Sequence, residues 1–283
     1  MNNFANRALF FFLVFLLSGL TQGLKAQTPL ERQFQLCREL LNKEEYYDAI
    51  TELKRLLFFD KKKEYAFRGN YLIGYSYMRG AKLDDAVKYF SLAQTSAPGD
   101  SALFDVKTEI IKCNILRRTT ENALLILRQM EKEAVFSNRI IEIDYWKAWA
   151  YIFADDWEKA SAEFQKAGAS KEIIEYSLAV EKAKYSVSFA KVISYILPGS
   201  GQFYTGNYIS GIMSLAWTGF LGYLAYDSFA AQRAFDGLIE AGLFFRFHRG
   251  NVQNAEKFAI QRNSEISRDA LIYLQNNYKG LKP

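Results

Sequence analysis

The chain has 283 residues, with 36 Lys+Arg against 31 Asp+Glu for a formal net charge of +5, and it is 50% apolar and 24% charged. This balance excludes intrinsic disorder, the length predicts about two domains, and only four prolines favour long helices over a turn-rich β fold. The single histidine, His248, excludes a histidine-rich metal site and would have to serve any Ser-His-Asp triad, while Cys37 and Cys113 are too few for a four-cysteine zinc site or a disulfide scaffold.

No constellation of catalytic residues stands out, so the expectation is a protein that is not an enzyme, with no cofactor and no metal. The basic residues are scattered and Lys61–Lys63 is their only run. A short run of this kind reads as a solvated loop, and no nucleic-acid partner is expected.

Residues 1–26 read as a secretory signal peptide. Arg7 supplies the basic start, and Ala8 to Leu17 is a ten-residue apolar core, too short for a bilayer that needs about 20 residues. Ser18-Gly19 breaks it, and Ala26 is a suitable residue before a cut, although Leu24 is larger than the usual small residue. An uncleaved N-terminal anchor is the alternative; both readings export the repeats that come after it.

Residues 27–184 repeat with a period of 37. Tyr71 to Pro98 holds the clearest unit, a helix, a tight turn and a second helix. Gly74 allows close approach, Ala86, Phe90 and Ala93 form the apolar face of the second helix, and Pro98-Gly99 stops it. Steps of 37 place Ala49, Ala86, Ala123 and Ala160 in one register position, with Leu53, Phe90, Leu127 and Phe164 four residues later. Cys37, Gly74, Ile111 and Ala148 share the close-approach position of the first helices. Cys37 and Cys113 then fall in non-adjacent units, too far apart to bond, and are expected as buried small hydrophobes.

This spacing of a small residue, Tyr, Ala, Phe, Ala and Pro resembles a tetratricopeptide-repeat array, with units at about 31–60, 68–98, 105–134 and 142–168 and a closing helix from Glu172 to Lys184. The family repeat is about 34 residues, so three more per unit must lengthen helices or turns. A generic array of helical hairpins fits the same spacing. The resemblance implies an all-α fold, a right-handed helix-turn-helix solenoid in which each repeat buries its face against its neighbours. It also implies a groove lined by the first helices, at Arg38, Arg68, Tyr71, Tyr75, Arg79, Lys112, Tyr145 and Trp149. Cations interleaved with aromatics suit an extended or helical peptide bearing acidic groups.

Residues 185–283 are expected to form a small helical membrane domain. No charge occurs from Val192 to Tyr226, and Tyr208 to Tyr226 is just long enough to span a bilayer. Ser210, Ser214, Thr218 and Gly222 make a small-residue stripe suited to helix–helix association in lipid, and tyrosines cluster near the ends. The run Pro198, Gly199, Gly201, Gln202, Tyr204 and Gly206, with Gly211 beyond it, resembles the Pro-Gly-x-Gly-Gln-x-Tyr-x-Gly pattern of small bacterial membrane domains. It lacks the Lys-Ser/Thr pair of a phosphate loop and reads as a turn at the membrane surface. Arg249-Gly250-Asn251 and Ala255 resemble the Gly-Asn turn and small residue near the end of such domains, which implies a second turn there; His248 reads as interfacial, Gly237 to Phe247 as a returning or interfacial apolar segment, and Val252 to Tyr278 as one or two amphipathic helices.

The expectation is a membrane-anchored scaffold of a bacterial envelope. Its repeats would lie in the periplasm and bind protein partners, its C-terminal domain would sit in the inner membrane, and it would serve membrane-protein biogenesis or secretion. An accessory subunit of a membrane transporter and a carboxylate-based cell-wall hydrolase are the alternatives.

Overall fold

Short turns that reverse the chain, each held by backbone hydrogen bonds, organise the molecule. The computed structural model describes residues 28–283, so the segment read as a signal peptide lies outside the described residues. Among the described residues every regular element is helical, and consecutive helices pack in pairs, as in an all-α solenoid. The chain divides after Arg117 into two units.

The first unit contains α1 (Pro29–Asn42), α2 (Tyr46–Phe59), α3 (Ala66–Arg79), α4 (Leu83–Gln94) and α5 (Asp100–Leu116), each packed on the next. Thr28 caps α1 by accepting from the Glu31 amide, and Pro29 occupies a position whose N–H would have no partner anyway. Between α1 and α2, and between α3 and α4, the chain turns through Glu44 and Ala81, both left-handed at φ 59° and 56°. The next amides close the turns: Glu45 donates to the Leu40 carbonyl and Lys82 to the Tyr77 carbonyl, each at 2.9 Å. These bonds satisfy carbonyls that a helix end leaves open. Ala49, Leu53, Ala86 and Phe90 are fully buried. A Cβ at Gly74 would lie 2.8 Å from the Phe90 ring, which is the close approach expected at that position. Cys37 and Cys113 are free and buried.

The second unit begins with α6 (Thr120–Lys132), a 3₁₀ turn (Ala134–Arg139), α7 (Ile140–Phe153), α8 (Trp157–Lys166) and α9 (Lys171–Ala183). Ala123, Leu127, Ala148, Ala160 and Phe164 are fully buried. Arg118 and Asp155 are left-handed at φ 62° and 65°. The 37-residue step is therefore present in two independent series: the buried alanines at 49, 86, 123 and 160, and the left-handed turn residues at 44, 81, 118 and 155.

Beyond α9 lie α10 (Val187–Ile196), α11 (Ser200–Tyr204), α12 (Tyr208–Ala230) and α13 (Ala234–Asn277). The structure departs here from the sequence reading. Arg249-Gly250-Asn251 is not a turn, because a single helix of 44 residues runs through it and joins the segments read as separate elements. At about 1.5 Å per residue it extends roughly 66 Å. A glycine inside a helix costs only about 1 kcal/mol relative to alanine, and packing on both sides of Gly250 offsets that. The N-terminal part of α13 pairs with α12 and its middle packs on α10 and α11. Its C-terminal part returns to the repeats.

Candidate functional site

In the first unit, Arg38 and Asn42 of α1 and Arg68, Tyr71 and Tyr75 of α3 line one cavity of about 520 Å³, together with Phe34, Leu41, Phe67 and Leu72. Four of the eight residues assigned to the groove thus converge. Arg38 and Arg68 are exposed, and among the described residues neither has an ion-pair partner. Tyr71 packs edge-on against Phe90, with ring centroids 5.4 Å apart. Burial, with Glu109 and Asp105 nearby, pushes its hydroxyl up to about 12, so it remains a neutral donor at physiological pH. Glu109 is itself held by Lys112 at 2.7 Å.

The other four assigned residues lie elsewhere. Arg79 donates to the Tyr46 hydroxyl at 3.1 Å and lies 3.7 Å from Glu44, so it clamps the preceding turn. Lys112 is engaged by Glu109 one helical turn before it on α5. Tyr145 and Trp149 of α7 are covered by the chain's own C-terminus. The Trp149 and Tyr278 rings are 6.0 Å apart, the Tyr145 and Tyr278 hydroxyls are 3.1 Å apart, and Tyr145 donates to the Leu281 carbonyl at 2.6 Å. Because the Tyr145 proton goes to Leu281, Tyr278 is the donor between the two hydroxyls. The repeat step relates these sites. Phe34, Tyr71 and Tyr145 share one register position, and Arg38, Tyr75, Lys112 and Trp149 share another. That arithmetic also reaches Phe34, which belongs to the cavity although it was not assigned to the groove.

Further contacts hold α13 to the second unit's repeats. The Asn263 side chain accepts from the Tyr185 amide at 2.7 Å and donates to the Tyr185 carbonyl at 2.9 Å. Asp155, the last of the four left-handed turn residues spaced by 37, accepts from Trp157 Nε1 and from the Ser267 hydroxyl and pairs with Lys184 at 3.0 Å. Tyr273 stacks on Tyr176 at 4.7 Å.

The Pro-Gly-x-Gly-Gln-x-Tyr-x-Gly run builds a buried polar node. Pro198 restricts Leu197 to an extended conformation and ends α10. Gly199 follows at φ 89°, where an added Cβ would lie 2.3 Å from the Gly211 carbonyl oxygen. Gly201 is helical, but a Cβ there would meet the Ala190 carbonyl oxygen at 2.3 Å and the Ala255 methyl at 2.7 Å. Gln202 is fully buried. Its amide donates to Asn251 Oδ1 at 2.7 Å and accepts from the Ser194 hydroxyl at 3.3 Å. Asn251 also accepts from the Gly199 amide at 2.9 Å and donates to the Ser194 carbonyl at 3.1 Å. Tyr204 accepts from the Ser186 amide at 3.1 Å, at the start of α10. Gly206 is left-handed at φ 79°, and Gly211 lies beneath the Phe203 ring. Every polar group of this node points at another protein group, so its chemistry is architectural.

Helix α12 is, among the described residues, the one helix long and apolar enough to cross a membrane, and only 22% of its apolar window is buried. Its small-residue stripe faces α13. Thr218 is buried, Ser214 accepts from Gln202 at 3.4 Å, and a Cβ at Gly222 would lie 3.3 Å from the Phe244 ring. Leu221 is buried, whereas Ile209, Phe220, Tyr223 and Tyr226 are exposed. Arg246 lies half-way along the pair in a cavity of about 360 Å³ with Ser210, Ser214, Trp217 and Asn254. His248 stacks on Phe244 at 5.9 Å and lines a second cavity with Arg249 and Lys191. Among the described residues no cluster of His, Cys, Asp and Glu is placed to hold a metal ion.

No family model, no curated protein and no solved structure matches the chain.

Proposed function

We propose that the protein is a membrane-anchored scaffold of the bacterial envelope, whose tetratricopeptide-like repeats bind a protein partner in the periplasm and whose C-terminal helices hold it in the inner membrane. The observation that carries the partner role is the cavity of the first unit. Two guanidiniums that have no carboxylate partner among the described residues stand there beside four aromatic rings, a combination that dominates binding energy at protein interfaces. The anchor rests on the exposed apolar surface of α12 and on its 23 residues, about 34 Å at 1.5 Å each. A helical span belongs to the inner membrane, because spans of the outer membrane are barrels. Charges within a span have to face a cavity or a bundle interior, and Arg246 and Arg249 each line a cavity.

The anchor is tested by carbonate extraction of membranes holding the full chain: it stays with the pellet and needs detergent for release. Release by carbonate would remove the spanning role of α12. The partner role is tested by crosslinking in intact cells, comparing the native chain with Arg38→Glu/Arg68→Glu. Loss of the crosslinked species with unchanged folding supports the scaffold, and an unchanged pattern refutes the cavity as the partner site. The cavity at Arg246 favours a second reading, an accessory subunit of a membrane transporter. That reading predicts that Arg246→Leu abolishes function while the crosslinks through the first unit persist.

A further inference from the structure

The chain carries, in its second unit, a worked example of what the cavity in its first unit is shaped to hold. This deepens the scaffold reading and rests on it. Tyr71 and Tyr145 occupy one repeat position, and Tyr75 and Trp149 another, two repeats apart in each case. At the later pair the occupant is visible: the chain leaving the end of α13 lays the Tyr278 ring against Trp149 and gives the Leu281 carbonyl to the Tyr145 hydroxyl at 2.6 Å. The segment curls tightly. A Cβ at Gly280 would lie 2.3 Å from the Tyr278 hydroxyl, and Lys282 donates back to the Gln275 carbonyl at 2.7 Å.

The earlier pair has the same elements, and among the described residues no segment covers it. The Tyr71 hydroxyl is protonated and, among the described residues, has no hydrogen-bond partner, while Tyr75 lines the wall where Trp149 stands in the later repeat. The difference is electrostatic. Arg38 precedes Tyr75 by one repeat in the same register position, and Arg68 lies beside Tyr71, so two cations with no ion-pair partner among the described residues flank the aromatic slot.

We infer that the cavity of the first unit takes a peptide segment that leaves a helix end carrying an aromatic side chain and, next to it, one or two carboxylates. The aromatic ring lies on Tyr75 as Tyr278 lies on Trp149, a backbone carbonyl accepts from the Tyr71 hydroxyl, and Arg38 and Arg68 hold the acidic groups. The chain's own tail, with Lys279 and Lys282 flanking the curl, has the aromatic but the opposite charge, and at the later pair the residue in the register position of Arg68 is an acid, Glu142.

The test uses the full chain in detergent and two synthetic peptides. One has the sequence of residues 271–283, and the other is the same with Lys279→Glu and Lys282→Glu; both carry a photoreactive phenylalanine in place of Tyr278. The acidic peptide is expected to crosslink within residues 34–75 and to bind at least about tenfold more tightly than the basic one, the effect of one charge-assisted contact. Arg68→Glu should reverse that preference, and Tyr75→Ala should weaken both peptides without altering the circular dichroism spectrum. Equal affinity of the two peptides, crosslinks confined to residues 145–149, or no binding of either would overturn the inference. If in those cases the double charge reversal at Arg38 and Arg68 still abolishes partner crosslinking in cells, the scaffold reading stands and only the ligand class is wrong. If partner crosslinking is also unaffected, both fall.

Discussion

Glu44, Ala81, Arg118 and Asp155 hold φ between 56° and 65° without a glycine among them. The left-handed region costs an L-residue roughly 1–2 kcal/mol, and here the cost is offset by the hydrogen bonds that close each helix. Ala81 has no side-chain role that a glycine would lose. Ala81→Gly is therefore expected to stabilise the first unit by about 0.5–1 kcal/mol, read as a higher denaturation midpoint; a lower midpoint would show that unfolded-state entropy outweighs the strain. Asn251 is the opposite case. Its side chain satisfies the Gly199 amide, the Gln202 amide and the Ser194 carbonyl at once. Asn251→Leu leaves these groups buried without partners, each worth about 1–3 kcal/mol, so the detergent-solubilised protein should melt lower, whereas Gln253→Leu, at an exposed position of the same helix, should not. Equal melting of the two variants would mean that water satisfies the node.

At the scale of elements, α13 joins two jobs in one helix. Its N-terminal part pairs with α12, and its C-terminal part covers the last repeats, where Leu271 and Leu274 are buried and Trp157 reaches Ser267. Cutting the chain at Lys184 would uncover Trp149, Trp157 and Tyr176, so point substitutions are better probes than truncation. Asn263→Ala removes both hydrogen bonds to the Tyr185 backbone and is expected to raise amide exchange over residues 263–277 and over α7, with α2 and α3 unaffected. Unchanged exchange in α7 would show that stacking at Tyr273 and Tyr278 is sufficient by itself. The thiols of the first unit add a pH dependence. Burial pushes Cys37 up to about 11 and Cys113 up to about 12 from 9.0. In the unfolded chain these thiols ionise near 9, whereas in the folded chain they stay neutral. The unfolded state therefore binds fewer protons above pH 9, and stability is full below pH 9 and falls as the pH rises through the folded values. A denaturation midpoint that drops between pH 8.5 and 10.5 is expected, and replacing both cysteines by alanine should flatten that drop. An equal drop in the double variant would assign it to Tyr71 and the other tyrosines.

For the whole molecule, residue types at fixed spacing were enough to read the repeats. Small residues recur where two helices pack closely, and four alanines at a step of 37 mark the paired helices in the sequence itself. The apolar length of α12 and the glycines of the turn before it were legible for the same reason, since local backbone geometry and solvent preference act through the residue itself. The sequence did not show that α13 is continuous, because Gly250 is a local break signal that packing overrides. It also did not show which of the equivalent aromatic positions the chain's own C-terminal segment covers. Tyr75 and Trp149 occupy the same repeat position, and the spacing does not say which of them the chain itself covers. The distinction comes from the end of a helix about 130 residues further along, where Tyr278 covers Trp149, while among the described residues nothing covers the cavity at Tyr75. Period and burial pattern are local properties, written in the order of the residues. Occupancy is a long-range property that depends on which surfaces meet once the chain has folded, and only the tertiary structure decided it.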